Sequence, residues 1–108
     1  MKLYTSTDQT AKLIELGFEK PKNEVKAEQA GDYAWYNPAY SVGKLIEMLP
    51  ENVAKENEIP STLNSSLMNG EWCVQYADFL GTDFEFCNTE LIDALFDMAV
   101  KLKEEGVI

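Results

Sequence analysis

The period of the apolar positions changes along the chain, and each change marks an element. Between Ser6 and Gly17 the apolar residues Ala11, Leu13, Ile14 and Leu16 recur at three-to-four spacing, which predicts a helix with one buried stripe. Ser6-Thr7-Asp8-Gln9 has the capping-box form, with Ser6 as N-cap and Gln9 at the third helical position. Gly17 is suited to the left-handed residue that closes a helix, Phe18 can fold back on Leu13, and Lys20-Pro21 stops any continuation. Residues 19–31 are polar and charged, with Val25 the one aliphatic side chain larger than Ala. They read as a mobile loop with at most a short helical turn. Tyr33-Ala34-Trp35-Tyr36 has the aromatic content of a strand, ended by Asn37-Pro38. A second helix then begins at Ser41, with Tyr40 placed to staple onto Leu45. Leu45, Ile46, Met48 and Leu49 are its expected buried side, and Pro50 terminates it.

Downstream the period shortens to two. Asn69-Gly70 is the preferred pair for a two-residue type I′ hairpin. That turn fixes the register, setting Leu67 opposite Trp72, Ser65 opposite Val74 and Leu63 opposite Tyr76 on the expected core face. The other face pairs Met68 with Glu71, Ser66 with Cys73 and Asn64 with Gln75, and is expected to be wet. Asp83-Phe84-Glu85-Phe86 predicts a further strand after a turn at Gly81, with the phenylalanines inward and the carboxylates outward. Asn88 is the expected cap of a last helix, with Glu90 and Asp93 near its positive end and Lys101 and Lys103 near its negative end. Leu91, Ile92, Leu95, Phe96, Met98, Ala99 and Leu102 form its broad apolar stripe, and Gly106 with Val107 closes it.

The order α-β-α-β-β-β-α predicts one α+β domain over residues 1–108, an antiparallel sheet of three to four strands with helices packed on one face. A chain of this length buries enough surface for one core.

Charge narrows the function classes. From Glu56 to Val100 there are nine carboxylates (Glu56, Glu58, Glu71, Asp78, Asp83, Glu85, Glu90, Asp93, Asp97) and no basic side chain, so most of the net charge of -10 lies in the C-terminal half. This argues against direct binding of nucleic acid or an anionic membrane, which needs clustered Lys or Arg. The chain has neither Arg nor His, which removes the usual general base near neutral pH and the bidentate phosphate fork. No apolar run is long enough to span a membrane. Cys73 and Cys87 lack metal-ligand spacing, and no secretory leader is expected from Met1-Lys2-Leu3-Tyr4-Thr5. Two free thiols in a reducing cytoplasm are therefore expected, with no cofactor.

Three places could carry function. Asp78, Asp83 and Glu85 surround the Gly81 turn and could together approach a hard cation, although no calcium-loop pattern is present. Glu90, Asp93, Asp97, Lys101 and Glu104 share one side of the last helix, where Asp97 and Lys101 form an i,i+4 pair; this side could dock a basic protein or simply face solvent. Tyr33, Trp35, Tyr36 and Tyr40 cluster within eight residues, as core or as an exposed binding surface. The serines have no His and no G-x-S-x-G elbow, so nucleophilic catalysis has no machinery here.

Three segments carry a resemblance. Ser6 to Gly17, Pro38-Ala39-Tyr40-Ser41-Val42-Gly43-Lys44-Leu45-Ile46-Glu47-Met48-Leu49-Pro50, and Asn88 to Ile108 together resemble small uncharacterised proteins encoded by gut-bacterial phages and prophages. Thr89 stands where those proteins often carry Pro. The resemblance covers under half of the chain and brings no catalytic residues; it implies a mobile-element origin and a cytoplasmic setting. The resulting expectation is a non-enzymatic phage or prophage accessory protein that binds a basic protein partner. Its expected surface comprises Tyr33, Trp35, Tyr36, Asp78, Asp83, Glu85, Asp93 and Asp97. The alternatives are an acidic DNA mimic that inhibits a nucleic-acid-binding protein, with its carboxylates on one contiguous face, and a small carboxylate-based or cation-dependent hydrolase.

Overall fold

The computed structural model describes residues 1–22, 24–31, 33–54, 60–78 and 81–108, and for 24–30 and 33–35 the backbone alone. Helix α1 (Thr7–Glu15) begins at the expected capping box. Ser6 Oγ accepts from Gln9 N, and Gln9 Oε1 accepts from Ser6 N. It ends as expected at Gly17 (φ +103°), where Phe18 N donates to Leu13 O. Lys103, on the last helix, lies over the Phe18 ring at 5.4 Å and ties this end down.

The expected loop over residues 19–31 is corrected by a strand, β1 (Glu24–Ala30). It pairs antiparallel with β2 (Tyr33–Pro38) as a two-stranded ribbon. Ala30 faces Tyr33, with Gly31 at φ +59°. Main-chain bonding suffices to make a ribbon of this kind, so its sequence need not alternate apolar and polar residues. Gly-Asp is itself a hairpin pair, and was the signal available in the sequence.

Helix α2 (Val42–Met48) starts at Ser41, whose side chain accepts from Lys44 N. Tyr40 is fully buried with Leu45, as the staple requires, and its hydroxyl donates to Glu19 O. Ile46 departs from expectation. It is exposed, because seven residues of helix offer a stripe wide enough only for Leu45, Met48 and the following Leu49. Ile14 on α1 is likewise exposed.

The main sheet runs β3-β4-β5-β6, all antiparallel. Its strands are the short β3 (Asn52–Val53), β4 (Ser61–Met68), β5 (Glu71–Asp78) and β6 (Gly81–Asn88). The β4–β5 register is the expected one, from Met68 opposite Glu71 to Leu63 opposite Tyr76. Asn69 (φ 51°) and Gly70 (φ 80°) both take the positive φ of a type I′ turn. The expected core face holds at its centre, where Val74 and Tyr76 are fully buried, but it fails at the tip. Leu67 is exposed there because the hairpin extends beyond the helices, whereas Met68 is exposed as expected on the wet face.

Helix α3 (Leu91–Glu104) supplies the other half of the core, with Leu91, Ile92, Ala94, Leu95, Met98, Ala99 and Leu102 buried against β5, β6 and α2. It starts two residues later than expected. Glu90 holds the N-cap position without a side-chain bond, and Asn88 instead accepts from Glu90 N in the approach to the helix. Gly106 (φ +73°) and the Val107 N to Leu102 O bond close it as expected.

The architecture is one compact α+β domain with a four-stranded antiparallel sheet and helices on one face; β1 and β3 are additions to the expected elements. Leu95→Ala should cost about 2–5 kcal/mol in urea unfolding, whereas Ile46→Ala should cost less than about 0.5 kcal/mol. Equal losses would refute the burial assigned to α2.

Candidate functional site

The expected site residues separate into three groups. On α3, two carboxylates of the acidic side are engaged by the chain's own N-terminal segment, one of them by a cation. Glu90 Oε2 accepts from Lys2 N at 2.8 Å, and Asp93 pairs with Lys2 Nζ at 3.1 Å. Gln9 Nε2 also donates to Asp93 at 2.7 Å. These contacts follow from α1 lying alongside α3. Asp97 is only partly exposed. Burial first, and the neighbouring Asp93 second, raise its carboxyl pKa above the ordinary value. The expected Asp97–Lys101 pair does not form, since Lys101 reaches forward to Glu105 at 2.7 Å.

At the Gly81 turn the three carboxylates diverge. Asp78 accepts from Gly81 N, which stabilises the turn itself. The register shifts between Tyr76 and Ala77, so Phe84 faces Tyr76, Thr82 faces Ala77, and Asp83 is the extra residue of a bulge. A bulge re-aims its side chain. Asp83, expected outward, instead accepts a hydrogen bond from the hydroxyl of fully buried Ser61. Glu85 keeps the outward position opposite Gln75. Among the described residues, no group of three His, Cys, Asp or Glu side chains is placed to hold a metal ion.

Asp83 lines a cavity of about 430 Å³ with Val53, Phe84, Lys101, Glu105 and Val107. Its polar groups are engaged. Lys101 is held as the ammonium by its hydrogen bond and charge interaction with Glu105, which raise its pKa. A lysine so held is no general base near neutral pH.

The aromatic cluster also divides. Tyr40 belongs to the core, and Tyr36 is exposed at 61%. The side chains of Tyr33 and Trp35 lie outside the described residues. The sheet face expected to be wet is the open one. Thr62, Asn64, Glu71, Gln75 and Glu85 lie on the side away from α3 with no basic residue among them, and among the described residues no helix or strand packs over it.

Cys73 and Cys87 also sit on that face, directly opposite each other, and form a disulfide. This corrects the expectation of two free thiols. A spacing of 14 residues means little as a linear motif, but the Gly81 turn and its bulge bring the two into one cross-strand pair.

No family model matches the chain, and no curated protein or solved structure matches it.

A bridge with this separation contributes about 3 kcal/mol in the chain-entropy account. Dithiothreitol should therefore lower the urea midpoint by a corresponding amount, and an unchanged midpoint would show that the thiols are not bonded. Because the folded-state pKa of Asp97 is raised, the folded chain holds that proton to higher pH than the unfolded chain. Stability from this group is full below the ordinary Asp value and is lost as pH rises through the folded value. Asp97→Asn should thus raise the melting temperature at neutral pH and leave it unchanged below the ordinary carboxylate range.

Proposed function

We propose that this chain is a non-enzymatic accessory protein, of phage or prophage origin as its partial resemblance implies, that binds another protein with a basic surface. The observation that carries this reading is the open face of the β4–β5–β6 sheet, which presents Glu71 and Glu85 among uncharged polar residues, without a basic side chain and without a covering element among the described residues. A face of one sign attracts a partner of the other and rejects like-charged surfaces. The α3 carboxylates support the reading less, because Lys2 and Gln9 already engage Glu90 and Asp93.

A DNA mimic would need its carboxylates in one row. Here Glu85 lies on the side of the sheet away from α3, which carries Glu90, Asp93 and Asp97, and Asp83 turns to Ser61. The cysteines bear on the cellular setting. A bonded pair fits an oxidising compartment, whereas a cytoplasmic chain would carry thiols.

The test is capture of a partner from lysate on the immobilised chain, repeated at high salt and with Glu71→Lys/Glu85→Lys. Salt and the double reversal should both release the partner, while Glu47→Lys, an exposed change on α2, should not. A partner indifferent to salt and to the double reversal would end the reading.

A further inference from the structure

The β6 strand is unusual in what it leaves open. It runs for eight residues at the end of the sheet order, and among the described residues no strand pairs with its outer edge. Long edges are normally blunted by Lys, by Pro, by a bulge or by a covering element; Gly81–Asn88 contains neither Lys nor Pro, and its bulge at Asp83 leaves Phe84 to Asn88 in regular register. The other edge differs, because β3 covers the first residues of β4 and the remainder leads into the exposed hairpin tip.

The ladder shows which groups face outward. The Cα atoms of Cys73 and Cys87 are 4.0 Å apart, the spacing of a narrow pair whose backbones do not bond each other. Glu85 opposite Gln75 is two residues along and of the same kind, so its N–H and C=O point to the free edge. Phe84 and Phe86 then bond β5 and turn their rings to the α3 side.

Beside that edge, on the α3 side, lies an apolar groove of about 290 Å³. It is lined by Phe86, Phe96 and Val100, together with Lys12, Asp97, Lys101 and Glu104. A strand added about 4.8 Å from β6 would send every second side chain towards this groove and the others onto the face of Glu85.

We infer that the β6 edge and this groove receive an extended segment of the partner whose side chains alternate between aliphatic and basic. This rests on the protein-binding reading and gives the partner its form. The aliphatic residues enter the groove, the basic ones lie opposite Glu85, and main-chain bonds supply affinity. Charge selects against a second copy of this chain, since each chain carries a net charge of -10 and two β6 strands would bring Glu85 of each copy close together.

The probe is an end-blocked octapeptide of alternating Lys and Val, compared with its Glu–Val counterpart, titrated by calorimetry into the disulfide-bonded chain. The Lys–Val peptide should bind, and hydrogen exchange at the amides of Glu85 and Cys87 in the unmodified chain should slow on binding. Glu85→Pro removes the outward N–H and keeps every β5–β6 bond, while Glu85→Gln removes only the charge. The Pro variant should bind at least about tenfold more weakly than the Gln variant. The exchange measurement decides the matter if the Pro variant fails to fold. Equal losses in the two variants, unchanged exchange at Glu85 and Cys87, no binding at about 1 mM peptide, equal binding of the Glu–Val peptide, or dimerisation through β6 would each overturn strand addition. If partner capture still depends on Glu71 and Glu85, the acidic-face reading survives that failure; if capture is indifferent to them, both readings fall.

Discussion

The structure depends on the need of α3 to bury an unusually wide apolar stripe. Seven of its fourteen residues are buried, more than one flat contact can cover. One side packs on β5 and β6, another on α2, and α1 lies alongside. Because α3 lies on one face of the sheet, the opposite face is left to solvent, and side-chain alternation along β5 then decides what solvent meets. Val74 and Tyr76 go inward, while Glu71 and Gln75 go outward with Cys73 between them, itself buried. Tyr76 also joins the layers by a polar contact, its hydroxyl donating to Pro50 O at 2.7 Å; burial raises the pKa of that phenol. The N-terminal segment is held by a buried polar network. Thr5 N donates to Tyr40 O, the Thr5 hydroxyl accepts from Tyr40 N, and that hydroxyl also meets the hydroxyl of Thr10.

Caps and turns were legible in the sequence because their causes are local. The Ser6–Gln9 box, the Ser41 cap, Asn69-Gly70 and the glycine endings at Gly17 and Gly106 each rest on a few adjacent residues, and each appears where the sequence puts it. Failures came where the deciding partner is distant in the chain. Ile14 and Ile46 fit an apolar period, but nothing packs over them. The β1 strand lacks the alternation of a half-buried strand because it belongs to a ribbon outside the main sheet. Asn88 has the chemistry of a cap, yet α3 begins at Leu91, and Asn88 stabilises the preceding turn instead.

The candidate surface was less legible than the fold, for a reason that concerns charge. A run of carboxylates without lysines reads as one feature in the sequence, but folding sorts it by neighbour. Lys2, near the start of the chain, supplies the cation missing from the acidic stretch, and only the third dimension brings it to Asp93. A one-residue bulge aims Asp83, still exposed, at Ser61. What remains of the acidic stretch on an open face is chiefly Glu71 and Glu85, of which only Glu85 belongs to the surface expected from the sequence.

The Cys73–Cys87 bridge has a mechanical consequence. Hydrogen bonds along an edge strand can be peeled one at a time from a free end, but a covalent link near the end of β6 stops such peeling. Tension applied to β6 would pass across the bridge into β5, the central strand, and from its buried Val74 and Tyr76 into the packing of α3. The outermost strand is thus anchored to the middle of the molecule, and a load placed on the rim is carried by the core.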